Sequence, residues 1–412
     1  MSSADIGWIM TATALVLFMT LPGLALFYGG LVRAKNFLNV LMQCFAIAAA
    51  VSVAWIVAGY SIAFGGDGQF WGGLSKMFLN GVPLLDEIDG DNELLVALFQ
   101  MTFAIITPAL IIGATVERAK LGFIVAFSVV WMLLVYAPVA HMVWGGGLLS
   151  GDSMLGWVAG IGVQDLAGGI VVHETAGIAA LVLVAMLGSR AGYPKAVKPP
   201  HQPALVMIGA AMLWVGWFGF NGGSDLSASS EGVSAILVTH ISAAAACCTW
   251  VLWEQFKGGK ASLVGIATGM VAGLASITPA SGVVGPIGAL IIGAVAGVLC
   301  QEMIGVVKSR FNLDDSLDVF AVHGVGGIWG TIALCFLASE GLGGAGLGDG
   351  ISAMDQLIVQ LTGLAVVGVF TVVGTFVIAF VLKMIFGMRA DEADVAEGLD
   401  ISSQGESAYD LS

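Results

Sequence analysis

The sequence predicts an all-α polytopic membrane protein with eleven transmembrane helices, built from two halves that form an inverted repeat. The chain of 412 residues is 58% hydrophobic and only 10% charged, against roughly 25% charged residues in a soluble domain. Apolar stretches near the ~20 residues that cross the hydrocarbon core as a helix recur along the chain. A cluster of prolines separates the first five stretches from the others.

Eleven apolar segments follow one another along the chain. We place them at 6–31, 37–64, 94–115, 120–140, 162–189, 203–221, 231–256, 261–277, 284–307, 317–338 and 352–386. Many of the 59 glycines lie inside these segments, which is typical of membrane helices that pack closely through small residues. No basic region precedes the first segment, so the N-terminus does not resemble a cleaved signal peptide.

The basic residues predict the orientation of the helices. Of the 14 Lys and Arg residues, all but Lys76 follow segments one, three, five, seven or nine, or lie at or after the end of segment eleven. Loops rich in Lys and Arg face the cytoplasm. We therefore expect the N-terminus outside, the C-terminus inside and an odd number of crossings, in a multi-pass protein of the cell's inner (plasma) membrane.

The loop YPKAVKPPHQP divides the membrane domain. Its four prolines cannot continue a helix. Because five segments precede it, the second half enters the membrane with the opposite orientation, as in many transporters whose site lies between the halves. We expect a transmembrane domain over 1–386, with halves 1–193 and 201–340 and a last helix over 352–386.

Residues 387–412 differ from the membrane domain in composition. They carry seven carboxylates and one Arg, and such a segment buries too little apolar surface to fold alone. We expect a cytoplasmic tail that docks on its own protein or on a partner. The longest outer loop, 65–93, is also acidic; we interpret it as a solvated surface, with cation enrichment near an entrance as the alternative.

Two related motifs each place a histidine in an apolar segment. DLAGGIVVHETAG (165–177) contains His173, and DVFAVHGVGG (318–327) contains His323. Glycine follows each histidine by four residues, on the same helix face, where another helix can approach closely. The histidines occupy segments five and ten, so the repeat brings them together. Ionisable groups inside a membrane indicate function.

Several roles are open to this histidine pair. Gly177 stands where the second His of a zinc-binding HExxH motif would be. Two facing histidines could ligate haem iron, but a haem would crowd the glycine-rich helices. A structural hydrogen-bonded pair is another alternative. We favour a proton relay or pore lining, since neutral imidazole both donates and accepts and titrates near neutral pH. No cofactor is expected, and the five cysteines lack the spacing of a metal site or disulfide framework.

Asp165 and an aromatic cluster complete the candidate site. An Asp at the start of segment five is expected to cap the free N–H groups there, with attraction of a cation as the second interpretation. The aromatic residues lie at segment ends expected to face outside, and they form either an interfacial belt or a cation–π site in which Trp144 is the best single ring. The cluster comprises Phe99, Phe103, Trp144, Trp217 and Phe220, with Ser224 beside them.

Five motifs together resemble the ammonium transporter family (Amt/Mep/Rh), in particular its bacterial Amt branch. They are LFMTLPGLALFYGGL, HMVWGGGLLS, DLAGGIVVHETAG, GWFGFNGGS and DVFAVHGVGG, and the resemblance covers essentially the whole chain. It implies a homotrimer with one pore for ammonium or ammonia through each eleven-helix subunit, and no enzymatic activity. It also implies that the tail segment GLDISSQGESAY contacts a PII-type regulator such as GlnK.

The resemblance also implies roles for individual residues. Trp144, Phe103 and Ser224 match an external ammonium site, and Phe103 with Phe220 a stacked gate. His173 and His323 match twin pore histidines. At the remaining two positions, Asp165 matches an essential aspartate and Trp217 a pore-lining tryptophan.

The chemistry of the residues agrees with this resemblance. A bare cation crosses an apolar pore at high cost, whereas ammonium alone, unlike potassium, can give up a proton and cross as a neutral molecule. Two residues depart from the family pattern: Glu174, after the first pore histidine, and Asp225, beside the pore mouth. The rival functions are an ammonium sensor of the same fold, a neutral gas channel of the Rh kind and a haem redox protein.

Overall fold

The computed structural model describes residues 1–85, 90–151 and 160–409. Asp86, Glu87 and Asp89 of the acidic outer loop lie outside these ranges. Over the described residues the fold is all helical, and eleven helices are long and apolar enough to cross a membrane. They are α1 (Ser3–Leu31), α2 (Ala34–Phe64), α3 (Glu93–Ala114), α4 (Leu121–Trp144), α5 (Gly169–Leu187), α6 (Pro203–Gly222), α7 (Ser230–Phe256), α8 (Leu263–Ala280), α9 (Pro286–Arg310), α10 (Phe320–Leu337) and α11 (Ala353–Phe386). A short helix, α12 (Glu392–Glu397), follows in the tail.

The predicted segments agree with these helices to within a few residues, and the fold class is confirmed. The largest difference is at α5, which begins at Gly169 rather than at residue 162. The chain from Asp165 to Gly168 is not helical, and Gly168 has φ 111°. The Asp165 carboxylate accepts hydrogen bonds from the N–H groups at the start of the helix, which holds this loop in a non-helical conformation. Hydrophobicity does not reveal this contact.

Wide helical turns interrupt six of the long helices. Those in α5 and α10 lie at corresponding places, over Gly169–Glu174 and Phe320–Gly324, and each contains a pore-motif histidine. The others cover Met19–Leu24, Trp55–Gly59, Met132–Tyr136 and Val306–Arg310. Such turns are frequent at functional sites because they redirect side chains.

Glycines let α5 and α10 cross closely, as the motifs predict. A Cβ on Gly177 would lie 2.4 Å from the Cα of Gly324, and one on Gly327 would lie 2.9 Å from the Cβ of His173. Real Cβ atoms do not approach this closely, so larger residues would separate the helices. The crossing brings the two histidine-bearing turns face to face.

A buried ionic network joins the basic loops at one face of the molecule. Arg33 donates to Glu117 Oε1 at 2.9 Å, and Arg190 pairs with Glu117 at 3.6 Å and with Asp314 at 2.7 Å. Burial alone would raise the pKa of Glu117, but the neighbouring arginines hold it below its ordinary value. Loops after α1, α3, α5 and α9 therefore share one face; that this face is cytoplasmic stays a prediction from the positive-inside rule.

The tail docks on that same face of its own subunit. The Asp400 carboxylate accepts hydrogen bonds from the backbone N–H groups of Leu38 and Asn39 at the start of α2, at 3.1 and 2.8 Å. The phenol of Tyr409 lies 2.9 Å from Nε2 of His201. Of the two docking alternatives, the structure describes the one on the protein itself.

Candidate functional site

A cavity of about 400 Å³ opens at the face opposite the basic network. Its lining includes Trp144, Asp165, Ser224 and Asp225. Trp144 and Ser224, both expected at the outer mouth, therefore lie around one cavity with Asp165, whereas Phe103 is not among its lining residues. These three lining residues come from the end of α4, the loop before α5 and the end of α6.

Trp144, the last residue of α4, is held by two contacts. Its indole N–H donates to the backbone carbonyl of Asp165 at 2.7 Å. Its ring stands perpendicular to that of Phe103, with centroids 6.2 Å apart. The hydrogen bond fixes the ring plane at the cavity wall, where the π face of an indole can receive a cation.

Phe103 and Phe220 lie between Trp144, at the cavity, and His173. Their rings are stacked, with centroids 4.2 Å apart and planes 21° from parallel. Both side chains are essentially inaccessible, at 1% and 0% exposure. Phe99 packs edge-on against Phe103 at 5.0 Å. The pair is an apolar barrier between the outer cavity and the histidines.

His173 and His323 face each other behind this barrier. Their Nδ1 atoms are 3.2 Å apart. Since two bare lone pairs repel, one Nδ1 must donate and the other accept, and the pair shares one proton. Trp217 stacks on His173 at 5.4 Å, and its indole N–H donates to Thr278 Oγ1 at 2.9 Å.

The structure places these residues in sequence along one line. Ring contacts lead from Trp144 to Phe103, from Phe103 to Phe220, from Phe220 to His173 at 6.1 Å, and from there to His323. Nε2 of His173 is buried without a hydrogen-bond partner among the described residues. An unpaired ring nitrogen on this line is available to a small molecule that donates or accepts a hydrogen bond.

Asp165 makes the contacts of a helix cap. Its two carboxylate oxygens accept hydrogen bonds from the N–H groups of four successive residues, 168 to 171, at 2.5 to 3.0 Å. Burial raises the pKa of this carboxyl above its ordinary value, and the four N–H donors act the other way. The geometry supports the capping interpretation over direct binding of a cation.

Sequence reasoning missed Asp315, the counterpart of Asp165 in the second half. Asp315 is buried, and its oxygens accept from the N–H groups of Val319 at 3.1 Å and Phe320 at 2.8 Å. It precedes His323 by eight residues, just as Asp165 precedes His173, and that spacing could have revealed it. Asp318, which opened the predicted motif, instead pairs with Lys308 at 2.5 Å.

The two departures from the family pattern have different surroundings. Asp225 lines the outer cavity and accepts hydrogen bonds from the hydroxyls of Ser227 and Ser229. Glu174 lines a separate groove on the other side of α5. Of the two, only Asp225 lies at the cavity that Trp144 and Ser224 line.

The donor geometry does not suit a metal. Iron held between the two histidines would need ring nitrogens roughly 4 Å apart, twice a metal–imidazole bond of ~2 Å, whereas the facing Nδ1 atoms are 3.2 Å apart. Across the described ranges no group of three or more His, Cys, Asp or Glu side chains could hold a metal ion. This geometry argues against the haem alternative.

Comparisons with known proteins agree along the whole chain. A family model described as Ammonium Transporter Family matches residues 7–409. A putative ammonium transporter of Methanothermobacter thermautotrophicus is 42% identical, over 100% of this chain and 99% of that protein. An ammonium transporter of Aquifex aeolicus is 41% identical, over 100% of this chain and 94% of that protein.

Solved structures share the fold. Candida albicans Mep2 superposes with a TM-score of 0.84 at 34% identity, over 96% of this chain and 88% of that chain. A structure described as Sensor Amt Protein superposes with a TM-score of 0.87 at 27% identity, over 97% of this chain and 98% of that chain.

Proposed function

This chain belongs to the ammonium transporter family and transports ammonium across a membrane; we propose that it recruits NH4+ at the outer cavity and conducts NH3 with separate transfer of the proton. The observation that carries this mechanism is the stacked pair Phe103–Phe220, which separates a carboxylate-lined cavity from two histidines. A hydrated cation cannot pass such a barrier without losing its water.

Recruitment uses the Trp144 and Phe103 rings and the Ser224 hydroxyl. A cation over an indole face gains roughly 0.5–2 kcal/mol. Ser224 donates its hydroxyl proton to the Phe220 carbonyl at 2.7 Å, which leaves its oxygen lone pairs to accept from an ammonium N–H. Asp225 adds negative charge at the same cavity and raises the local cation concentration.

Selection over potassium follows from deprotonation. Cation–π attraction distinguishes poorly between two monovalent cations of similar size. Ammonium can leave its proton outside the barrier and continue as a neutral molecule, whereas potassium cannot and faces the full cost of desolvation. Trp217, stacked on His173, lines the path beside the histidines.

Proton transfer uses His173 and His323. Their shared Nδ1–Nδ1 contact lets a proton pass from one ring to the other while each imidazole returns to the neutral form. If the proton crosses with the ammonia molecule, each turnover moves one positive charge, and transport is electrogenic.

We further propose the assembly and the cellular setting. Membership of the family supports a homotrimer with one pore in each subunit, in the cell's inner membrane with the N-terminus outside. The docked tail, which caps the start of α2 through Asp400, supports a PII-type regulator of the GlnK kind acting at the cytoplasmic face.

Ammonium-dependent current in proteoliposomes tests the mechanism. We expect current with ammonium and none with the same concentration of potassium. Uptake of ammonia without current would favour a neutral gas channel of the Rh kind. Ammonium binding without either flux would favour a sensor, a role that the name of one structural relative carries.

A further inference from the structure

Glu174 differs from every other charged residue in the eleven transmembrane helices. The other Asp, Glu, Lys and Arg residues lie within four residues of a helix end, apart from Glu302, whose side chain is 46% exposed and pairs with Lys257. Glu174 is 2% exposed, and its Oε2 has no hydrogen-bond partner among the residues that the structure describes. A buried unpaired polar group inside a membrane protein calls for a functional explanation.

The carboxyl of Glu174 lines an apolar groove of about 620 Å³ between α5, α10 and α11. Every other lining residue is apolar, among them Ile178 of α5, Ile328 of α10 and Leu364 of α11. Val369 and Val373, which also line the groove, are exposed, so the groove opens on the outer surface of the helix bundle. Both residues lie near the middle of α11, the part of a transmembrane helix that crosses the bilayer hydrocarbon.

The groove favours the neutral acid at Glu174. Within the described ranges no Lys, Arg or His lines it, and an unpaired carboxylate in apolar surroundings is strongly unfavourable. Gly368 leaves room for the acid, since a Cβ there would lie 3.3 Å from Glu174 Oε1. A neutral carboxylic acid presents one O–H donor, and this donor faces an apolar opening.

The groove lies directly behind the pore. Glu174 and His173 are consecutive residues of the same wide turn, but His173 packs against His323 and Trp217 while Glu174 lines the groove. Gly327 is wedged against this turn, where a Cβ would lie 2.9 Å from His173 Cβ and 3.4 Å from Glu174 N. A molecule that shifts the backbone of this turn at Glu174 therefore also shifts the histidine.

We propose that this groove is a ligand site reached through the bilayer, with the Glu174 acid as its polar anchor. It takes apolar molecules that dissolve in hydrocarbon and carry a hydrogen-bond acceptor. Occupation moves the wide turn of α5 and interrupts the pore. The current readout of this proposal rests on the proposed conduction, whereas occupation of the groove does not.

Dicyclohexylcarbodiimide is a suitable probe because it has this chemistry and records occupation covalently. The Glu174 O–H protonates one nitrogen of the N=C=N group, and the resulting carboxylate oxygen bonds to the central carbon, giving an O-acylisourea. The acyl group then shifts from oxygen to nitrogen and leaves a stable N-acylurea. The whole carbodiimide is retained, with no leaving group and no oxidant.

The experiment labels the full-length protein in liposomes and maps the modified peptide by mass spectrometry. We expect an adduct of one intact carbodiimide on Glu174 and loss of ammonium current. Glu174→Gln should carry no adduct on this peptide and should keep its current after treatment. Ala365→Phe should fill the groove and reduce labelling, while Val377→Phe, on an exposed part of α11 outside the groove, should label like the wild type.

A water-soluble, charged carbodiimide separates the two routes of access. We expect it to label exposed carboxylates of the tail but not Glu174. Equal labelling of Glu174 by both reagents would overturn access through the bilayer, and absence of the adduct with the apolar reagent would overturn the site. An adduct with undiminished current would overturn control of the pore. If the untreated protein carries no ammonium current, the adduct still decides the site and only the proposed function fails.

Discussion

Nδ1 of His173 and Nδ1 of His323 lie 3.2 Å apart, at the crossing of two helices from opposite halves of the chain. Neither imidazole can change its protonation without the other responding, since they share one proton. The pair therefore behaves as one group, and its variants should show this.

Replacement of either histidine by Ala should remove most of the ammonium current, and the double variant should lose no more than the single ones, as for residues that act as a unit. Selectivity against potassium should also fall, because the space left by a ring admits water. His240→Ala, on an exposed position of α7, is the matched control. Single variants with near wild-type current would leave the histidines with a structural role only.

Trp144→Leu should raise the ammonium concentration for half-maximal current more than it lowers the maximum. The lost cation–π contact of about 0.5–2 kcal/mol corresponds to roughly 2- to 30-fold. Trp144→Phe keeps an aromatic face but loses the hydrogen bond to Asp165. Its half-saturation concentration should therefore lie between those of the wild type and Trp144→Leu. Trp71→Leu, at an exposed outer-loop position, controls for loss of an indole elsewhere. An unchanged half-saturation in Trp144→Leu would count against the recruitment site.

Asp165→Ala should destabilise the protein because it leaves the first N–H groups of α5 without their acceptor. Loss of a helix cap costs about 0.5–2 kcal/mol, and more where the N–H groups are buried. Thermal unfolding in detergent measures the effect. Asp67→Ala, on the exposed outer loop, should leave the melting temperature unchanged. If Asp165→Ala melts with the wild type, the cap is not what holds this helix start.

Asp315 should make stability depend on pH below neutrality. Burial, with Asp318 adding to it, raises its pKa to about 6 from 3.8. Between these values the folded state holds a proton that the unfolded state has released, so this contribution to stability falls as pH rises from about 4 to 6. Relative to Asp315→Asn, the wild type should therefore lose melting temperature over that range. A constant difference between the two proteins would show that Asp315 does not titrate there.

Deletion of the tail from Asp391 onward should leave the subunit inserted and trimeric, because the tail contributes no membrane helix. It should change the response to a PII-type protein, measured as binding and as current. Asp400→Ala, which removes only the cap on the start of α2, separates loss of docking from loss of the tail. Unchanged affinity for the regulator after truncation would mean that the binding surface lies elsewhere.

The sequence by itself determined the number of helices, their approximate ends and the motifs that carry the two facing histidines. The length and composition of an apolar stretch are local properties, and the membrane sets the length that is needed. The spacing of His173 and His323 in the two halves was likewise visible, as were the glycines that follow them. Lys and Arg residues occur after the odd-numbered segments, and this pattern already indicated that the basic loops share one face.

Only the tertiary structure decided how these parts meet. The hydrogen bond from Trp144 to the Asp165 carbonyl, the docking of Asp400 on α2 and the outward groove at Glu174 all join residues from different elements or different faces of one turn. Each depends on the few ångströms by which helices approach and on wide turns that rotate side chains by a fraction of a helical period. Hydrophobic periodicity carries no information at that scale, because it is the packed neighbours that choose between the alternatives.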